Sequence, residues 1–151
     1  MSYTERFSEV HYPLVAVVPA VYSPAAAVTS AYVSLANYHR AVLVVHCGAI
    51  AATGTLDISI RQASSSAGAG VKGIPTTAGQ TKLATQLTGA DDDSIVIIEL
   101  RTEELDIANG FEHVAITYDV DTDTAAFSAI LYGCEPRFKP VATTNWAEIV
   151  D

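Results

Sequence analysis

Two β-strand patterns stand almost next to each other between residues 40 and 62. Ala41–Cys47 is an apolar run, typical of a strand that is buried on both faces. Thr55–Arg61 alternates between aliphatic and polar side chains, which is typical of a strand with one wet face. The Gly48–Gly54 linker is too short for a crossover helix, so we expect these two strands to pair antiparallel.

The same two patterns recur further along the chain. Ile95–Leu100 is a second apolar run that predicts a strand buried on both faces. His113–Val120 alternates, and Ala125–Cys134 follows it after the polar turn Asp121–Thr124. A short polar turn between two strand patterns predicts a β-hairpin.

Val28–Arg40 is the ambiguous part of the chain. Its β-branched and aromatic residues favour a strand that ends in a polar turn at Asn37–Arg40. A helical stripe through Val28, Tyr32 and Leu35 is the alternative. With seven or eight strand candidates and almost no helix, the sequence predicts an all-β fold, an antiparallel β-sandwich with a jelly-roll-like body.

Prolines and tails divide the chain into three parts. Residues 1–27 carry prolines at positions 13, 19 and 24, and they predict an extended N-terminal arm with an apolar centre at Leu14–Val18. The alternative is that Leu14–Val18 is an ordinary edge strand of the domain. Residues 28–138 form the predicted body, and residues 139–151 a C-terminal tail.

Composition limits the possible partners. Half of the residues are apolar and 17% are charged, which suggests that apolar surface is buried either against a partner or inside a sandwich with two-sided strands. Residues 91–123 hold eleven of the seventeen acids and one base, Arg101. Such a surface repels phosphate backbones, so we expect no direct binding to nucleic acid. No apolar run is long enough to span a membrane, and no secretory signal precedes the body.

No pattern in the chain indicates catalytic or cofactor chemistry. The four histidines lack metal-ligand spacing, and Cys47 and Cys134 are expected to be buried free thiols, with a disulfide between them as the alternative. The acidic run Asp119–Asp123 begins like a calcium loop but lacks its glycine and its closing glutamate. We therefore expect a protein that is not an enzyme and needs no metal or cofactor.

Several short motifs resemble one family. They are N-Y-H-R at 37–40, G-A-I-A-A-T-G-T at 48–55, I-E-L-R-T-E-E-L-D at 98–106, N-G-F at 109–111, C-E-P-R-F at 134–138 and N-W at 145–146. Together they resemble the small virion structural proteins of tailed bacteriophages, over residues 28–150. The resemblance implies a capsid decoration (cement) protein that binds major capsid protein subunits. It also implies a homotrimer on the capsid exterior, assembled in the host cytoplasm.

Two other functions stay open from the sequence. One is a head–tail connector or tail component, and the other is a β-sandwich ligand-binding module or enzyme. For the decoration protein, the candidate partner contacts come from the arm, from the motif residues and from the tail. They are Leu14, Val15, Val17, Val18, Tyr22, Tyr38, Arg40, Arg137, Phe138 and Trp146.

Overall fold

The computed structural model of the chain describes residues 5–75, 82, 86–139 and 143–150. Two antiparallel sheets pack face to face, which confirms the predicted β-sandwich. Sheet A has the spatial order β1-β10-β4-β8. Its strands are β1 (His11–Tyr22), β10 (Ala125–Pro136), β4 (Tyr38–Ile50) and β8 (Ile95–Arg101).

Sheet B is shorter and more broken. Its central strands β9 (His113–Asp121) and β5 (Thr55–Ala63) pair over their full length. Short segments pair with their outer sides: β2 (Val28–Thr29) and β3 (Val33–Ser34) with β9, and β6 (Lys72–Gly73) and β7 (Leu87–Thr88) with β5. If β2 with β3 and β6 with β7 each count as one interrupted strand, the order is that of an eight-stranded jelly roll.

The core forms because strands of both sheets alternate. In β5, Leu56, Ile58 and Ile60 are fully buried, as their spacing predicts. In β4, Leu43 and Val45 are fully buried between the sheets. Burying one such aliphatic side chain contributes about 1.5–3 kcal/mol, so this layer supplies much of the stability.

The predicted pairing of the two strands around Gly48–Gly54 is wrong. β4 lies in sheet A and pairs with β10 and β8, whereas β5 lies in sheet B and pairs with β9. The chain crosses from one sheet to the other after Ile50. Crossing lets the apolar faces of both strands point into one core, which a flat hairpin does not do.

The predicted hairpin between His113–Val120 and Ala125–Cys134 is wrong for the same reason. Both segments are strands, β9 and β10, but they belong to different sheets. Thr122 adopts a left-handed backbone conformation, with φ of 67°, where the chain changes sheet. Alternation of strands between sheets is what the jelly-roll order requires.

The ambiguous segment Val28–Arg40 is extended, without a helix. It supplies β2 and β3, which add to the outer side of β9. The predicted polar turn ends earlier than expected, because Tyr38 already begins β4. The ring of Tyr38 is buried against Gly133 of the neighbouring strand, so it belongs to the core.

Residues 11–22 are part of sheet A. β1 pairs with β10 from His11 to Tyr22, which is the edge-strand alternative that the sequence left open. Proline is tolerated here because an edge strand leaves alternate N–H groups without a ladder partner. A four-residue helix, α1 (Phe7–Val10), precedes it. No helix among residues 5–75, 82, 86–139 and 143–150 is long and apolar enough to cross a membrane.

Candidate interaction surface

The outward side of sheet A carries a row of apolar side chains across all four strands. In register, Ile97 of β8 lies beside Val44 of β4, Val44 beside Ile130 of β10, and Ile130 beside Ala16 of β1. Of the adjacent outward positions, Val42 and Ile95 extend the row, whereas Glu99, His46 and Ser128 beside them are polar. We call this surface the apolar face; its residues are Ala16, Val42, Val44, Ile95, Ile97 and Ile130.

Strand alternation places these side chains outside. In β8, Ile98 and Leu100 are buried in the sandwich, so Ile95 and Ile97 point to the opposite side. Ile95 is 62% exposed and Ile97 is 59% exposed. The expectation that Ile95–Leu100 is buried on both faces is therefore wrong for the isolated chain, because β8 is an edge strand with nothing over its outer face among the described residues.

The outward side of sheet B has the opposite character. Asp57 of β5 lies beside Asp119 of β9, and Ser59 lies beside Thr117. Asp57 and Asp119 are half-buried and Ser59 is 7% exposed, so the polar groups on this side are only partly open to water. The contrast marks the apolar face as the side of the molecule that is suited to contact with another protein.

Both ends of the chain meet over sheet A at Tyr132. The Phe7 ring stacks on His11 at 4.2 Å and meets Tyr132 at 5.7 Å. Trp146 lies 6.3 Å from both Phe7 and Tyr132. Asn145 Nδ2 donates to the carbonyl of Pro13 at 2.8 Å, so the tail also occupies part of the β1 edge. We call Phe7, His11, Tyr132 and Trp146 the aromatic corner.

The two edges of sheet A are only partly covered. On the β8 side, Lys82 Nζ donates to the Glu99 carbonyl at 2.8 Å. On the β1 side, Val18 and Val21 are 66% and 68% exposed. Neither edge has a further strand among the described residues. Unpaired backbone groups next to exposed apolar side chains favour pairing with another chain.

A cleft of about 760 Å³ opens at the end of the sandwich where β4 begins. Arg40 and Arg101 are direct cross-strand neighbours at its rim, and Arg137 lies beside them. Leu35 and Leu105, both buried, also line it. We call this site the arginine cleft. Like charges placed directly opposite destabilise a sheet, so this pairing favours an occupant that supplies acceptors.

The guanidinium groups of the arginine cleft are incompletely paired. Arg40 has one contact to Glu135 at 3.4 Å, and Arg101 has one to Glu103 at 3.4 Å. Arg40 Nε is buried without a hydrogen-bond partner, and no ion pair of Arg137 occurs among the described residues. Each guanidinium offers five N–H donors, so most of this donor capacity is unused.

The predicted partner contacts fall into different places. Val17 and Tyr38 are buried in the core, and we leave them out of the contact surface. Leu14 and Val15 are half-buried on β1, and the Tyr22 ring lies 4.7 Å from the Phe127 ring at an angle of 39°. The exposed or half-buried remainder lies on the β1 edge (Val18), in the arginine cleft (Arg40, Arg137), beyond β10 (Phe138) and in the aromatic corner (Trp146).

Sequence reasoning missed the surface that the fold assembles. Ile97, Val44 and Ile130 lie in segments that were predicted as strands, but nothing local shows that their outward sides align. In the sequence Arg101 is a single base among acids, and nothing local places it opposite Arg40. The available signal was the apolar excess of the whole chain, which predicted a buried contact without locating it.

The described residues hold no group of three or more His, Cys, Asp or Glu side chains that is arranged to bind a metal ion. Both cysteines are free and buried, as predicted. Burial raises the pKa of the Cys134 thiol to about 11, which keeps it protonated at neutral pH. His46 is exposed whereas Cys47 is buried, so the two lie on opposite faces.

Comparison of the chain with protein-family models, with curated proteins and with solved structures finds no match in any of the three. Function is therefore inferred from the surfaces of the molecule and from the resemblance of its motifs.

Proposed function

We propose that this chain is a non-enzymatic structural protein of a tailed-bacteriophage virion. It decorates and stabilises the capsid by binding major capsid protein subunits on the capsid exterior. It acts as a homotrimer that assembles in the host cytoplasm and needs no cofactor. The observation that carries the proposal is the apolar face, an exposed aliphatic row across all four strands of sheet A.

The apolar face supports a role in assembly because such a surface is unfavourable in water. Ile95 and Ile97 alone leave more than half of their side-chain surface exposed. Monomeric proteins seldom expose a continuous apolar patch larger than roughly a few hundred Å², and patches above this size mark contact sites. Burial against a neighbouring subunit recovers about 25 cal/mol for each Å² of apolar surface.

The fold supports the proposal by analogy only. Jelly rolls are common in viral capsid proteins, but lectins and cupins share them. A fold by itself does not establish a function. The motif resemblance and the apolar face together favour the virion role over the lectin-like one.

A ligand-binding role is the second candidate, and the arginine cleft is the observation that favours it. Its volume of about 760 Å³ suits a small ligand, and its arginines offer donors to an anion. Exposed rims and flanking glutamates weaken the case. Calorimetric titration with mono- and dicarboxylates, in parallel with the binding assay below, separates the two candidates.

Co-sedimentation with phage heads tests the proposal. We expect the purified protein to pellet with heads that were assembled without it. Ile97→Glu should weaken this binding by about thirtyfold or more, because it places a charge in an apolar contact. Val28→Glu is the matched control, since Val28 is exposed on sheet B and lies outside the apolar face.

Three results contradict the proposal. One is failure of the wild-type protein to bind heads, and another is equal binding by Ile97→Glu and Val28→Glu. The third is an image of the virion that places the chain in a ring at the head–tail junction, which supports the connector alternative.

A further inference from the structure

The charge of this molecule is divided between its two ends. One end carries seven of the seventeen acids and none of the eight lysines and arginines. Its acids are Asp57, Asp91, Asp92, Asp93, Asp119, Asp121 and Asp123. All eight bases lie towards the other end, where Glu103, Glu104 and Glu135 pair with three of them, so the negative charge of the described residues is concentrated at the aspartate end.

The aspartate end presents carboxylates with unused acceptors. Residues 91–93 form the turn before β8, and we call them the aspartate turn. Asp92 accepts the backbone N–H of Ile50 through one oxygen at 2.7 Å, which leaves its second oxygen available. Asp93 is exposed, and its side chain makes no hydrogen bond or ion pair with the described residues. The turn therefore offers negative charge to a neighbour without loss of internal bonds.

The arginine cleft offers the complementary donors, and Glu103, Glu112 and Glu135 share its lining with the three arginines. Arg137 is exposed and has no ion pair among the described residues, and Arg40 Nε is buried without a partner. Arg40 contacts Glu135, and Arg101 contacts Glu103, each through one long N–O distance of 3.4 Å. Exposed ion pairs of this kind contribute little to stability. A carboxylate that enters the cleft gains charge-assisted, bidentate hydrogen bonds.

One molecule does not bring the two groups together. Arg40 and Ile50 stand near opposite ends of β4, and Asp92 binds the backbone of Ile50. Ten residues of strand at about 3.3 Å each separate Arg40 from Ile50 by about 33 Å. The aspartate turn therefore reaches an arginine cleft only on another molecule.

We propose that the arginine cleft of one copy receives the aspartate turn of a second copy. This contact is head-to-tail and heterologous, since two different surfaces meet, and such contacts form closed rings when the rotation closes. The contact specifies which two surfaces meet in the homotrimer, and it rests on the homotrimer of the proposed function. Arg40 and Arg101 share the outward side of sheet A with Val44 and Ile97, so the contact continues the apolar face.

Charge reversal with sedimentation velocity tests the contact. We expect Arg137→Glu to weaken self-association by about tenfold or more, because the new carboxylate faces the carboxylates of the aspartate turn on the second copy. Arg61→Glu makes the same change in net charge on sheet B, at a residue that does not line the cleft, and should associate like wild type. Asp93→Lys should weaken association as Arg137→Glu does, and the double variant should restore it.

Salt dependence and folding supply independent readouts. Raising the salt from 0.15 M to 1 M shortens the screening length from about 8 Å to about 3 Å, and it should weaken wild-type association more than that of Arg137→Glu. Melting curves check that each variant is folded. Asp93 has a positive φ of 54°, so Asp93→Asn, which tolerates this geometry, serves as a second variant without charge.

The inference is overturned if Arg137→Glu and Arg61→Glu associate equally, if the double variant is not restored, or if the wild type is monomeric at every concentration tested. These failures differ from failure of the proposed function. Head binding that is lost in Ile97→Glu but kept in Arg137→Glu supports decoration without the head-to-tail contact. Salt-sensitive self-association without head binding supports the contact and contradicts decoration.

Discussion

The backbone N–H of Ala51 donates a hydrogen bond to the carbonyl oxygen of Thr124 at 2.9 Å. This bond joins the two connections that cross between the sheets at the aspartate end. Gly54 lies against the same carbonyl: a Cβ built there would be 2.8 Å from Thr124 O and 3.2 Å from Ala51 O. The close approach of these backbones is what allows both connections to turn at one point.

We expect Gly54→Ala to destabilise the protein by about 1–3 kcal/mol, because the added methyl group has no space beside two backbone oxygens. Denaturant unfolding measures the loss. Thr53→Ala changes an exposed residue of the same turn and should stay within about 0.5 kcal/mol of wild type. Equal stability of the two variants would show that the connections are not packed together.

These two connections also show why strand identity was predictable and strand pairing was not. Alternation in Thr55–Arg61 and His113–Val120 states which side chains are buried, and it correctly predicts two strands. It does not state which neighbour each strand takes. A short turn is compatible both with a hairpin and with a crossing between sheets, and packing of the whole core decides between them.

The sequence predicts that an apolar contact surface exists, but it does not predict where that surface lies. An apolar excess predicted that part of the surface is suited to a contact. Its location depends on the register of β8, β4, β10 and β1, which aligns Ile97, Val44 and Ile130. Register arises from contacts that are distant in sequence, so a local pattern does not contain it.

Gln62 of β5 is a fully buried polar side chain that links this strand to β6 and to the segment that follows β8. Its amide donates to the Gly73 carbonyl at 2.9 Å, and its oxygen accepts the Asp106 N–H at 2.9 Å. Gln62→Leu leaves both backbone groups without a partner, and we expect a loss of about 2–4 kcal/mol. Gln86→Leu, at an exposed position, is the control in the same unfolding assay. Similar losses in both variants would contradict a structural role for Gln62.

Cys134 predicts a dependence of stability on alkaline pH. Burial, with the nearby Glu135 carboxylate, raises the pKa of its thiol from 9.0 to about 11. The unfolded chain ionises first as pH rises, so the contribution of Cys134 is complete below about pH 9 and is lost as pH rises through about 11. We expect the melting temperature of wild type to fall more steeply over this range than that of Cys134→Ala. Parallel curves would contradict the pKa shift.

The turn Asp121–Thr124 allows a test of metal dependence. The carboxylates of Asp121 and Asp123 accept hydrogen bonds from the N–H groups of Thr122 and Thr124 at 2.7 Å each. Both carboxylates therefore have hydrogen-bond donors within the turn. We expect a chelator to leave the melting temperature unchanged, since a metal bound only to the native state would raise it. A fall that added calcium reverses would instead identify this turn as a metal site.

The edge strand β1 changes what removal of the N-terminus should do. If residues 1–27 were an arm outside the body, deletion of residues 1–23 would leave the body folded and weaken only its attachment to heads. In the structure, this deletion removes one of the two strands that pair with β10, from Ala125 to Cys134. It also removes the Tyr22 ring, which lies 4.7 Å from Phe127. We therefore expect the truncated protein to melt far below wild type.

Two neighbouring residues of β1 separate these possibilities without truncation. Val17 is 7% exposed and faces the core, whereas Val18 is 66% exposed. Val17→Ala should cost about 1–3 kcal/mol if β1 is an integral strand, because it removes buried methyl groups. Val18→Ala removes the same atoms from an exposed position and should stay within about 0.5 kcal/mol. If both variants and wild type had the same free energy of unfolding, and the truncated protein melted at the wild-type temperature, the N-terminus would be an arm and not an integral strand.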